Sequence, residues 1–90
     1  MGHILYKSGW LEQGGCLTPN SDPYNITFLK EFKDTDYYIQ LSVQDTSPTD
    51  FALTVASWNT KTTTYVQIYE GYNGTVQLMP IMWETKGYAE

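Results

Sequence analysis

Tyr37-Tyr38-Ile39-Gln40-Leu41-Ser42-Val43 decides the fold class. Successive side chains of an extended chain point to opposite faces, so Tyr37, Ile39, Leu41 and Val43 share one side. Tyr38, Gln40 and Ser42 take the other. Two further segments repeat the pattern. Tyr24-Asn25-Ile26-Thr27-Phe28 sets Tyr24, Ile26 and Phe28 on one face, and Phe51-Ala52-Leu53-Thr54-Val55 sets Phe51, Leu53 and Val55 inward. The core expected from these runs is Ile26, Phe28, Ile39, Leu41, Val43, Leu53 and Val55.

Working outward, turn-forming residues separate the runs. Ile4-Leu5-Tyr6 and Trp10-Leu11-Glu12-Gln13 flank Ser8-Gly9, which reads as a tight hairpin. Thr18-Pro19-Asn20-Ser21-Asp22-Pro23 collects residue types that initiate turns and cannot join a ladder. Lys30 to Asp36 is polar except for Phe32, and Gln44 to Asp50 carries Pro48. Asn59-Thr60-Lys61-Thr62 breaks the alternation before Thr64 to Tyr69 resumes it. Asn73-Gly74 lies between Tyr65-Val66-Gln67-Ile68-Tyr69 and Val76-Gln77-Leu78-Met79, and both of its residues tolerate positive φ, which predicts a two-residue type I′ hairpin. Pro80, inside the last apolar run, marks an edge position or a bulge because proline cannot donate to a ladder. The count is six or seven strands at spacings of about 8–14 residues, the pattern of an all-β antiparallel sandwich. No helical period persists.

Composition agrees. Ninety residues make one domain, which buries roughly 60–65% of its unfolded surface. Met1-Gly2-His3 reads as start and cloning residues, leaving 4–90 as the single sandwich. Eight Tyr, three Trp, three Phe and twelve Thr weight the chain toward strands. Ten acids against five Lys and no Arg give a net charge of −5, which argues against nucleic acid and an anionic membrane surface as partners. No apolar run is long enough to span a bilayer, so membrane insertion is not expected. One cysteine, Cys16, excludes an internal disulfide framework and a multi-cysteine zinc site.

The residues available for chemistry are few. His3 is the sole histidine, and Cys16 has no histidine partner in the sequence pattern, so imidazole-based acid–base and thiolate chemistry have no support. Asp34 with Asp36, and Asp45 with Asp50, supply carboxylate pairs of the kind glycoside hydrolysis uses, but acidic residues in turns are common for capping alone. No Asp-rich loop carries a periodic calcium-ligand pattern. The expectation is a non-enzymatic domain without metal or cofactor.

Four motifs in order extend this reading: Gly9-Trp10-Leu11-Glu12-Gln13-Gly14-Gly15, then Ile26-Thr27-Phe28-Leu29-Lys30-Glu31-Phe32, then Lys33-Asp34-Thr35-Asp36-Tyr37-Tyr38-Ile39, and Trp83 through Gly87-Tyr88 at the end. In order and spacing, over nearly the whole chain, they resemble the C-terminal receptor-binding domains of bacteriophage tail fibres related to the H-type lectin fold. The resemblance implies a homotrimer about a fibre axis, a location on the extracellular virion, and attachment to a host cell-surface glycan or protein receptor. Two other readings stand beside it: a monomeric bacterial or prophage carbohydrate-binding module, and a purely structural trimerisation cap.

Trimerisation also has a physical argument. Tyr38 points outward if Ile39 and Leu41 point inward, and Tyr65, Gln67 and Tyr69 form a second outer row; apolar surface of that extent usually marks an interface. A sugar site needs a stacking aromatic beside amide or carboxylate groups. Trp58-Asn59-Thr60-Lys61 and Glu70-Gly71-Tyr72-Asn73-Gly74, read as loops, offer that combination, which makes Trp58 and Asn59 the first candidate pair and Tyr72 and Asn73 the second. Strand parity puts loops 30–35 and 58–62 at one end and 16–23, 44–50 and 70–74 at the other, so the pairs form separate sites. The net charge favours a neutral or weakly charged glycan.

Overall fold

The structure, a computed structural model, describes residues 1–44, 55–72 and 75–90. It is all-β and antiparallel. Eight strands are described: β1 (Gly2–Leu5), β2 (Trp10–Leu17), β3 (Tyr24–Thr27), β4 (Tyr38–Val43), β5 (Val55–Lys61), β6 (Tyr65–Tyr72), β7 (Thr75–Val76) and β8 (Ile81–Tyr88). One sheet has the order β1-β2-β8-β4, and the other has β3-β6-β5 with β7 also on β6. Two antiparallel sheets whose apolar faces meet make the sandwich that the alternation predicts.

The strand count exceeds the expected six or seven, and the boundaries explain why. Gly2 and His3 pair with Gly14 and Gln13, so the sheet begins ahead of residue 4. The β1–β2 hairpin closes through Gly9 at φ 89°, with its N–H donating to Tyr6 O at 2.9 Å and Tyr6 N–H donating to Trp10 O at 2.8 Å. Tyr72 pairs with Thr75, leaving two residues, Asn73 and Gly74, to join β6 to β7; both lie outside the described residues. Pro80 precedes β8 rather than interrupting it, and its carbonyl accepts the Gln44 N–H at 2.9 Å.

The core is centred elsewhere than expected. Leu11, Ile26, Phe28, Phe32, Tyr37, Val66, Ile68, Ile81 and Trp83 are the buried hydrophobics. Ile26 and Phe28 were expected there. Ile39, Leu41 and Val43 are only half-buried, packed against the cluster from outside, because β4 has β8 on one side and no described strand on the other. Leu53 and the side chain of Val55 lie outside the described residues. The central strand is β8, paired along its full length with β2; its odd-numbered residues are buried and its even-numbered ones exposed, with Lys86 half-buried.

At one end of the sandwich the core is aromatic. The Phe32 and Tyr37 rings stack with centroids 4.4 Å apart, and Phe28 meets them edge-on at 5.3 and 5.4 Å. The 28–37 connection carries these rings and is tied down by backbone and side-chain bonds. Phe28 N–H and Phe32 N–H donate to Thr64 O and Thr63 O, both at 2.9 Å. Buried Gln13 on β2 holds the same segment in a two-point grip: its Nε2 donates to Lys30 O at 2.8 Å and its Oε1 accepts Lys30 N–H at 3.0 Å. A buried amide with both ends bonded avoids the cost of an unsatisfied polar group.

Candidate functional site

The first candidate pair lies in a strand rather than a loop. Trp58 and Asn59 belong to β5, and the break read at Asn59 to Thr62 is a β-bulge followed by the strand's end. Trp58 pairs with Ile68, then Thr60 pairs with Gln67 and Lys61 with Val66, so Asn59 is the extra residue. This insertion decides what the site contains. In an unbroken strand, residues three apart face opposite sides. The bulge shifts the count by one, so Trp58 and Lys61 share the face on which Ile68 and Val66 are buried.

That face is incompletely covered at β5. Trp58 is 42% exposed although it stands on the core side of its sheet. The Lys61 ammonium lies 5.0 Å from the Trp58 ring centroid and 4.9 Å from that of Tyr37, and donates to Tyr37 O at 3.0 Å. Two ring faces and one carbonyl therefore locate a side chain that otherwise has four free torsions. The exposed Asn59 and Thr60 side chains follow Trp58 along the strand.

Tyr37 anchors the arrangement from inside. It is buried, and its hydroxyl donates to Thr62 O at 2.7 Å, with a longer contact to Tyr65 O at 3.3 Å. Burial pushes its phenol up from 10 to about 12, so the ring stays neutral at physiological pH. Thr62 closes the β5–β6 turn: its N–H donates to Tyr65 O at 2.8 Å and its Oγ1 accepts Tyr65 N–H at 3.0 Å.

The second candidate pair is not brought to the first. Glu70, Gly71 and Tyr72 are the last residues of β6, not a loop, and Tyr72 lies four residues beyond the Trp58 partner Ile68. At strand rise this is roughly 13 Å. The side chain of Tyr72 and all of Asn73 lie outside the described residues. Of loops 30–35 and 58–62, expected to share an end, residues 58–61 are strand, and it is the turn after them that meets the first loop, through Phe32 N–H to Thr63 O. At the other end, Asp22 Oδ1 accepts the Glu70 N–H at 3.2 Å.

Glu70, read in the sequence as part of the second loop, is instead a buried strand residue. It is 3% exposed; Oε1 accepts Met79 N–H at 3.0 Å, while Oε2 is buried without a partner. Burial, reinforced by the nearby Asp22 carboxylate, raises its pKa. The signal is the alternation itself: Glu70 takes the next inward position after Val66 and Ile68, and reading residues 70–74 as a loop sets that parity aside.

The outer face of the first sheet is a second surface of interest. Cross-strand pairing lines up Ile4, Glu12, Lys86 and Tyr38 in one row and Gly2, Gly14, Glu84 and Gln40 in the next. Tyr38 is 72% and Met82 62% exposed, which realises the outward aromatic position expected at Tyr38. Tyr69 is also exposed, on the outer face of the other sheet. A shallow depression between β4 and β8 is lined by Gln40, Leu41, Ser42, Met82, Trp83 and Glu84. The Glu84–Lys86 pair across this face is 3.3 Å long and solvated, so it contributes little. Among the described residues no group of three His, Cys, Asp or Glu is placed to hold a metal ion.

No family model, curated protein or solved structure matches the chain.

Proposed function

We propose that this domain is a receptor-binding tip of the phage tail-fibre kind, non-enzymatic and homotrimeric, that attaches to a host cell-surface glycan through the β5 edge. The observation that carries the proposal is Trp58. It is a large aromatic on the core side of a sheet, left 42% exposed, beside a lysine held in one place. Ring faces of this kind stack on the C–H face of a sugar, and the neighbouring exposed Asn59, at the bulge, offers an amide partner for its hydroxyls. The bulge that aims both side chains at one place is a device common beside functional sites. The order of motifs along the sequence supports the fibre-tip setting. The exposed Ile4, Tyr38, Met82 and Tyr88 on the outer face of the first sheet support an association surface.

Binding of the purified domain to intact cells of candidate hosts, and to a panel of oligosaccharides, tests the reading. Trp58→Ala should abolish binding, and circular dichroism on the variant checks that the fold survives the loss of a ring that is 42% exposed. A folded Trp58→Ala variant that binds cells as well as the parent would refute the site. Light scattering at micromolar concentration tests the trimer, and a strictly monomeric mass would favour a monomeric carbohydrate-binding module.

A further inference from the structure

Resting on the reading of the β5 edge as a glycan site, we infer that its ligand is a carboxylate-bearing sugar, of uronic or sialic acid type, with the carboxylate on Lys61. The inference starts from charge. Lys61 is one of only five cations in a chain of net charge −5, yet it has no carboxylate partner among the described residues. Its contacts are a carbonyl and two ring faces, all of them neutral. An ammonium has three donors, and one is committed to Tyr37 O, so two remain for a ligand.

The position of Lys61 is set by the fold. The bulge at Asn59 turns it to the same side as Trp58, and buried Tyr37 supplies both a ring and a carbonyl to hold it. Holding a long side chain in one geometry costs conformational entropy, which here is met by the fold before any ligand binds. Such preorganisation lowers the cost of ordering when an anion arrives. A pyranose ring with one carboxylate meets both parts of the site at once, its C–H face on the exposed part of Trp58 that Lys61 does not cover and its carboxylate on the ammonium 5.0 Å from that ring's centroid. Charge-assisted hydrogen bonds of this kind exceed neutral ones in strength. The net negative charge of the domain repels a dense polyanion at a distance, which narrows the fit to ligands whose carboxylate is isolated or terminal.

The experiment measures intrinsic tryptophan fluorescence and calorimetric binding for matched oligosaccharides: a glucuronate-terminated and a sialate-terminated one, each against the neutral oligosaccharide of the same backbone. The acidic member of one pair should bind the parent protein roughly tenfold or more tightly than its neutral partner. Lys61→Met should erase that difference, and Lys61→Arg should retain most of it. Circular dichroism on each variant separates a lost contact from a lost fold, and Lys61→Arg keeps the test decisive if Lys61→Met unfolds. Equal binding of acidic and neutral members overturns the carboxylate assignment and leaves the glycan site standing. Binding of neither, with cell attachment also unaffected by Trp58→Ala, overturns both.

Discussion

A methyl group added at Gly87 should damage this domain more than its size suggests. Gly87 is buried on β8, opposite Leu11, with the aromatic cluster above it. A Cβ built there would stand 2.6 Å from Tyr37 Cβ, 3.0 Å from Tyr37 Cα and 3.2 Å from Phe32 Cδ1. The first two atoms belong to or adjoin the backbone, so no rotamer change moves them away. The 28–37 segment would have to lift, against the Gln13 grip and the bonds to Thr63 and Thr64. Overpacking a well-filled core costs about 1–3 kcal/mol and more where the backbone must shift. The opposing gain, a less flexible unfolded chain, is about 0.4–1 kcal/mol. Gly87→Ala should therefore destabilise by about 2 kcal/mol, a melting shift of about 8–16 °C for a domain of this size. Urea unfolding followed by circular dichroism measures it, with Gly2→Ala as control because nothing lies within 4 Å of a Cβ there. Truncating Phe32 should not rescue the variant, since the closest contacts are with Tyr37. A Gly87→Ala variant within about 0.5 kcal/mol of the parent would refute the packing described for this end.

Three other outcomes follow from particular groups. Tyr37→Phe removes the O–H bond to Thr62 O and should cost about 1 kcal/mol. With the phenol raised to about 12, its contribution is complete below pH 10 and lost as pH rises through about 12, so alkaline unfolding in that window should flatten in the variant. Glu70 has a raised pKa, so it favours the fold when protonated and loses that contribution as pH climbs past the ordinary carboxylate range; the urea midpoint of Glu70→Gln relative to the parent should rise from acid to neutral pH, and a constant difference would refute the assignment. Leu11→Ala should cost about 2–5 kcal/mol and Leu41→Ala about half as much, since Leu11 is fully buried and Leu41 is not; equal losses in urea unfolding would mean that the core is misplaced.

The comparison of Leu11 with Leu41 also shows what the sequence could convey. Alternation in residues 37–43 reports direction, and the directions are right: Tyr38 is out, and Ile39, Leu41 and Val43 point toward the core. Alternation carries no information on how much lies above those side chains, and β4 has little. Phe32 sits in a polar stretch whose period says nothing, and it is buried by a connection folding back over β8. The end of β5 is obscured by the Asn59 bulge, because one extra residue reverses the parity on which a strand is recognised. Reading Asn59 to Thr62 as a break found the irregularity but not its consequence, which is the meeting of Trp58 with Lys61. Gly87 was legible only as part of a terminal motif; its reason, room for Tyr37, is a contact between residues fifty positions apart.

Core and candidate site meet in Tyr37, and this makes one more outcome decidable. The residue stacks on Phe32, bears on Gly87, bonds Thr62 through its hydroxyl and presents its carbonyl and one ring face to Lys61. A shift of its Cα, which Gly87→Ala forces, must also move the carbonyl that holds the Lys61 ammonium. Trp58 stands on β5 with Lys61, and the Lys61 ammonium lies between its ring and that of Tyr37. Under conditions where Gly87→Ala remains folded, stacking should thus survive while the preference for an acidic sugar weakens. The matched oligosaccharide pairs measure both at once. Unchanged discrimination in a folded Gly87→Ala protein would mean that Tyr37 does not position the lysine, and Lys61 would then reach its ligand as a mobile surface charge.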